Sequence, residues 1–171
     1  MLVPHNSYTN LSSAAGLGLI GFNENDILVD YGCMCFDSLI YASRLCKKIV
    51  GIVPSSERLK TLQEQLVEEG VKNYDLVNAN YNEQHFKEVF DCVIINSFLE
   101  QLQIEVKHNK SILFDSKIRS QNKANSPGKI RIGFLQMVYK GLKPGGKLYL
   151  SYVNKLRVNV LLLFLKIEIS S

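Results

Sequence analysis

Between Ile27 and Ser151, short apolar runs alternate with longer stretches in which apolar residues recur every three or four positions. That alternation is the signature of βαβ units wrapped around a parallel sheet, and it predicts an α/β fold. The first strand is expected over Ile27 to Tyr31. A helix follows, its buried stripe marked by Leu39, Ile40, Ala42, Leu45 and Cys46 and its start capped by Asp37 or Ser38. A second strand, Ile49 to Val53, runs into Pro54-Ser55-Ser56. Leu59, Leu62, Leu66 and Val67 then keep helical spacing as far as Gly70, a good C-terminal stop. Tyr74 to Val77 reads as a third strand, Asn82 to Val89 as a short helix, and Phe90 to Ile95 as a fourth strand apolar enough for burial on both faces.

A further helix is expected to begin over residues 97 to 104. The next stretch differs in kind, with Lys107, Lys110, Lys117, Arg119, Lys123, Lys129 and Arg131 set against only Glu105 and Asp115. It reads as a basic insertion over about residues 105 to 131 within a single domain of 171 residues, in part without regular structure. Helix resumes from Ile130 to Gly141, and Lys143-Pro144-Gly145-Gly146 supplies a tight reversal into a fifth strand, Lys147 to Val153. The tail, "LRVNVLLLFLKIEIS", has a composition that suits a strand or a buried helix, and periodicity does not separate the two.

Composition narrows the class without naming a function. Hydrophobic residues at 46% and charged residues at 21% belong to a folded globular chain. A net charge of +4 is too mild an excess to argue for nucleic acid, and the basic insertion reads as a solvated loop before it reads as an RNA contact. Cys33, Cys35, Cys46 and Cys92 lack the paired spacing of a zinc site and the density of a disulfide scaffold, so no metal is expected. They read as small buried residues of a cytoplasmic protein. The longest apolar run, Val160 to Leu165, is far short of a membrane span.

The ordered motifs resemble the class I S-adenosylmethionine-dependent methyltransferase family over roughly residues 15 to 154. Four stretches carry the resemblance: "ILVDYGCMCF" for the glycine-rich first motif, "IVGIVPSSERL" for the second strand and its turn, "FDCVIINSFLEQL" for the fourth strand, and "VYKGLKPGGKLYLS" for the turn into strand five. The resemblance implies a doubly wound, mostly parallel, Rossmann-like sheet in the order 3-2-1-4-5 with reduced C-terminal strands. Its ligand crevice would lie at the carboxyl ends of strands 1 and 4.

The same resemblance implies S-adenosylmethionine as cofactor and assigns its binding to Asp30, Gly32, Cys33, Val53, Asn80 and Asn96. Asp30 would meet the ammonium of the methionine moiety, Gly32 would make the turn, and Asn80 would face the adenine amino group. Asn96, with Ser97, would line the mouth near the transferred methyl. The chain departs from the family where Met34 and Phe36 replace glycines, and where Val53 replaces the acid that accepts from the ribose hydroxyls. Each hydrogen bond to that carboxylate contributes about 1.5–3 kcal/mol, so its loss implies cofactor affinity lower by a factor on the order of a hundred. No catalytic side chain is assigned, since methyl transfer proceeds largely by positioning donor and acceptor.

Two readings follow. One is a methyltransferase-like domain acting on a small-molecule acceptor; the other is a fold that has lost the cofactor and binds or regulates an unknown protein. Without a family in view, Asp30-Tyr31-Gly32 is also simply a turn between strand and helix, and Cys33 and Cys35 are packing residues. An apolar strand left at the C-terminal edge of the sheet would favour a homodimer through that edge.

Overall fold

The computed structural model of the chain describes residues 16–81, 85–99, 102, 127–151 and 163–166. Its elements are β1 (Ile27–Tyr31), α1 (Phe36–Ser43), β2 (Lys48–Val53), α2 (Ser56–Glu68), β3 (Tyr74–Asn78), β4 (Phe90–Asn96), α3 (Pro127–Gly141), β5 (Leu142–Ser151) and β6 (Leu163–Lys166). The six strands form a sheet in the order β3-β2-β1-β4-β5-β6. The first five run parallel, and β6 adds an antiparallel edge. The expected order 3-2-1-4-5 is therefore observed, and the ambiguous tail contributes a strand.

Alternation along the strands divides the core into two layers. Leu28, Ile49, Cys92, Ile94 and Tyr149 face Leu39, Ile40 and Ala42 of α1 and Leu62 and Leu66 of α2. Val29, Ile52, Val93, Ile95 and Leu148 face Phe134 and Val138 of α3. β4 is buried on both sides, as its continuous apolar run requires.

Local chemistry sets the boundaries. Ser55 Oγ accepts from the Arg58 backbone N–H at 3.2 Å and caps α2. Gly70, at φ +68°, ends it, with its N–H on Val67 O and the Val71 N–H on Leu66 O, both at 3.0 Å. The apolar stripe is narrower than the spacing predicts. Val67 lies beside the buried row and is 65% exposed, and Leu45 falls beyond the end of α1 and is 42% exposed. Neither Asp37 nor Ser38 caps α1; its N-cap position is Cys35, which makes no side-chain cap bond.

Two further expectations are corrected. No helix covers residues 85–89. Glu88 takes φ +53°, and the N–H groups of Glu88 and Val89 bond the Lys140 and Gly141 carbonyls at 2.8 and 2.9 Å, binding this connector to the end of α3 instead of to itself. The Lys143–Gly146 reversal is not a loop ahead of strand five but an irregularity within it. Leu142 already pairs with Phe90, and the register shifts before Lys147 pairs with Cys92. α3 starts at Pro127, three residues before the expected Ile130, and residues 105–126 lie outside the described residues. Among the described residues no helix is long and apolar enough to cross a membrane.

Asp91 ties three strands at the end of the sheet remote from the crevice. Its carboxylate accepts from the Ile27 N–H at 2.8 Å, the first residue of β1, and from Lys143 Nζ of β5 at 2.8 and 2.9 Å. Burial raises its pKa, but the Ile27 N–H and Lys143 outweigh that and hold it below the ordinary carboxylate value. The contribution is thus present above the unfolded carboxyl pKa of about 3.9 and fades as pH falls below it. Asp91→Ala should cost about 1–2 kcal/mol in urea unfolding at pH 7, mostly through the Ile27 N–H, because the lysine is well exposed. The difference from wild type should shrink toward pH 2.

Candidate functional site

β1 lies between β2 and β4, and the chain winds outward from it in both directions, so the carboxyl ends of β1 and β4 are the switch point of the sheet, where folds of this kind form their ligand crevice. Asp30, Gly32, Cys33, Val53 and Asn96 all come to this end of the sheet. Asn80 follows β3 and is exposed.

Asp30 is the least ordinary group in the molecule. It is fully buried, and neither carboxyl oxygen has a partner in good hydrogen-bond geometry, the Cys33 backbone N–H exerting only a weak pull. Desolvation pushes its pKa up from 3.8 to about 8, against smaller downward pulls from the Cys33 backbone N–H and the Arg58 charge. At pH 7 the carboxyl therefore holds its proton. Asn96, at the end of β4, is also buried and leaves its Nδ2 without a partner. Orphaned buried polar atoms of this kind call for a ligand, because desolvation of each costs free energy that nothing in the fold returns.

The turn after β1 is tight. The Gly32 N–H continues the ladder to Ile52 O at 2.8 Å, and at φ +87° a Cβ on this residue would run into the Phe98 ring. Cys33 then takes φ +45°, uncommon for a residue with a side chain. Its thiol turns into the core, where a Cβ on Gly51 would come within 2.7 Å of Sγ. Burial first, and the neighbouring Asp30 charge second, hold that thiol well above its usual pKa, so it packs rather than reacts. Ser97, just past β4, takes φ +53° while its N–H bonds Ser151 O at 3.0 Å. Strained residues thus stand on both sides of the crevice mouth, as is common at binding sites.

Arg58 and Phe98 complete the site, and neither was legible from the motifs. Arg58, in the first turn of α2, donates from Nη2 to Cys33 O at 2.5 Å and reaches back over the loop. Its place follows from the Ser55 cap, a contact no spacing rule reveals. Phe98 reads from the sequence as the apolar start of a helix, yet its ring lies on Gly32. Met34, in a glycine position of the motif, is half-buried against the layer that contains Tyr31 and Phe98.

At β2, Val53 is fully buried and apolar, and Asn78 Nδ2 donates to its carbonyl at 2.9 Å and to Pro54 O at 3.2 Å. The residues present suit the amino-acid end of a sulfonium nucleoside: a carboxyl and an amide donor, both buried and neither with a partner in good hydrogen-bond geometry. They do not suit its ribose. No acid stands at Val53, Ser55 Oγ already caps α2, and Glu57 is exposed in the first turn of that helix.

The sheet order defines a doubly wound α/β domain. More particularly, the fold is that of the class I S-adenosylmethionine-dependent methyltransferases. An S-adenosylmethionine-dependent methyltransferase from Aquifex aeolicus superposes with a TM-score of 0.60 at 18% identity, over 84% of this chain and 64% of its own. An S-adenosylmethionine-dependent O-methyltransferase from Thermotoga maritima gives 0.60 at 11% identity, over 92% and 48%. The cyclase SpnF gives 0.61 at 16% identity, over 88% and 47%. The chain thus spans about half to two thirds of the length of these structures. No protein-family profile matches the sequence, and no curated protein matches it.

Because the folded state keeps Asp30 protonated up to about pH 8 while the unfolded chain ionises near 3.8, its contribution to stability is full below the unfolded value and lost as pH climbs toward 8. Asp30→Asn should therefore stabilise the ligand-free protein, by little at pH 4 and increasingly up to pH 8, with an upper bound of about 6 kcal/mol. Urea unfolding of the two proteins across that range measures the difference. A gap that does not change with pH would mean that Asp30 is not held in its acid form.

Proposed function

We propose that the chain is an S-adenosylmethionine-binding domain of methyltransferase type, which transfers a methyl group to a small-molecule acceptor and grips its cofactor by the methionine end. The observation that carries this reading is Asp30, a buried carboxyl without a partner at the switch point of a methyltransferase fold. Gly32 supports it by making the sharp turn after β1 at φ +87°, and Asn96 by offering an unused amide donor. Cys33 contributes loop geometry and packing, Asn80, exposed just after β3, would meet the adenine, and Val53 leaves the ribose without its acceptor. When bound, the cofactor would supply an electrophilic methyl group. The chain's part is to position, to exclude water and to exchange one proton at Asp30: neutral when alone at pH 7, this carboxyl would ionise beside an ammonium group.

A second reading keeps the fold without the transfer, as a binding or regulatory module. Val53 and the Arg58 bond to Cys33 favour it, because they leave the ribose unheld and fasten the loop to α2. That SpnF is named as a cyclase illustrates how little the fold alone fixes the chemistry.

Calorimetric titration with S-adenosylmethionine and S-adenosylhomocysteine separates the two. Binding in the micromolar to low millimolar range is expected, with release of about one proton per ligand at pH 7 when heats are compared across buffers. Asp30→Asn should abolish the proton release and weaken binding about tenfold or more. Adding the acceptor for the ribose, with Val53→Asp and Met34→Gly together, should tighten binding. A folded protein that gives no heat at millimolar ligand overturns the cofactor reading and leaves the module.

A further inference from the structure

A second cleft lies on the α3 face of the sheet and shares no residue with the crevice. It has a volume of about 510 Å³, within the range of small-molecule sites, and runs between α3 and the connector from β3 to β4. Its floor is apolar, formed by Phe86, Phe134 and Met137. The floor is also rigid. The Phe134 ring meets Tyr31, Tyr81 and Phe98 edge-on at 5.2, 5.4 and 5.6 Å between centroids, and Phe86 meets Phe90 at 4.8 Å.

The rim is basic. Lys129, Lys140 and His85 line it, and among the described lining residues none is acidic. The lysines stand eleven positions apart along α3, about 16 Å of helix, so positive charge brackets an elongated apolar trough. The third feature is Gly133, midway along the wall. Glycine inside a helix is destabilising relative to alanine and is usually explained by close packing. Here a Cβ would meet nothing within 4 Å among the described residues. Among the described residues nothing occupies the place of the missing side chain, which leaves room for a body lying flat against the helix backbone.

We propose that this cleft is a binding site for a flat aromatic anion, its ring system against Gly133, Phe86 and Met137 and its acidic group on the lysine rim. The site works without the crevice and without S-adenosylmethionine, so its test is independent of the function proposed above.

Anilinonaphthalene sulfonate, a fluorescent aromatic anion, is the probe. Titration of the full chain without cofactor should give saturable binding of a single probe molecule. The Lys129→Gln, Lys140→Gln double variant should bind it about fivefold more weakly or worse, and the uncharged analogue N-phenylnaphthylamine should be weaker than the sulfonate by a similar factor. Gly133→Leu, which fills the trough, should abolish binding, while Gly133→Ala should melt at or above the wild-type temperature. Circular dichroism monitors folding throughout, and the lysine variant, confined to exposed positions, decides the matter if Gly133→Leu does not fold. The proposal is overturned if the uncharged analogue binds as tightly, if the lysine variant keeps wild-type affinity, or if binding does not saturate.

Discussion

The whole arrangement depends on β1 being hydrogen-bonded on both sides, to β2 through Ile27–Tyr31 and to β4 through Leu28–Asp30. A central parallel strand presents side chains to two buried layers at once. Leu28 and Val29 belong to opposite layers, and the strand has no solvated face on which to place a polar residue. Asp30 is nevertheless on it, one residue from the end and fully buried. The crevice follows from that conflict: a carboxyl held among strands, with the chain turning away immediately afterwards at Gly32 and leaving its oxygens without donors.

Much of the fold was legible because the sheet is parallel and buried. Continuous apolar runs at Ile27, Ile49 and Phe90 had few alternatives as strands, and the Ser55 and Gly70 signals bounded α2 closely. Errors arose where local pattern met tertiary contact. Residues 85–89 carry a weak helical period, but their backbone bonds to α3 are worth more than an isolated turn of helix. Lys143-Pro144-Gly145-Gly146 has turn chemistry, yet Leu142 was already committed to pairing with Phe90.

The candidate site was legible in part for similar reasons. Asp30, Gly32 and Asn96 are marked by their place at strand ends, which a motif encodes directly. Arg58 and Phe98 act across distances of many residues in sequence, Arg58 through a backbone carbonyl and Phe98 through a ring on a glycine, and such contacts leave no local trace. Fold and chemistry also separate here. The likeness to methyltransferase structures lies in the order of strands, whereas whatever this chain does resides in the few side chains by which its crevice and its α3 cleft differ from a generic Rossmann-like sheet.

Helix α3 ends at Gly141 and β5 begins at Leu142, with no residue between them. The carbonyls of Lys140 and Gly141 are at the same time held by the entry to β4. A helix so joined cannot roll or slide without dragging the first rung of the β4–β5 ladder. The carboxyl end of α3 is therefore a fixed root, and any displacement there is transmitted directly to the pairing of β4 with β5.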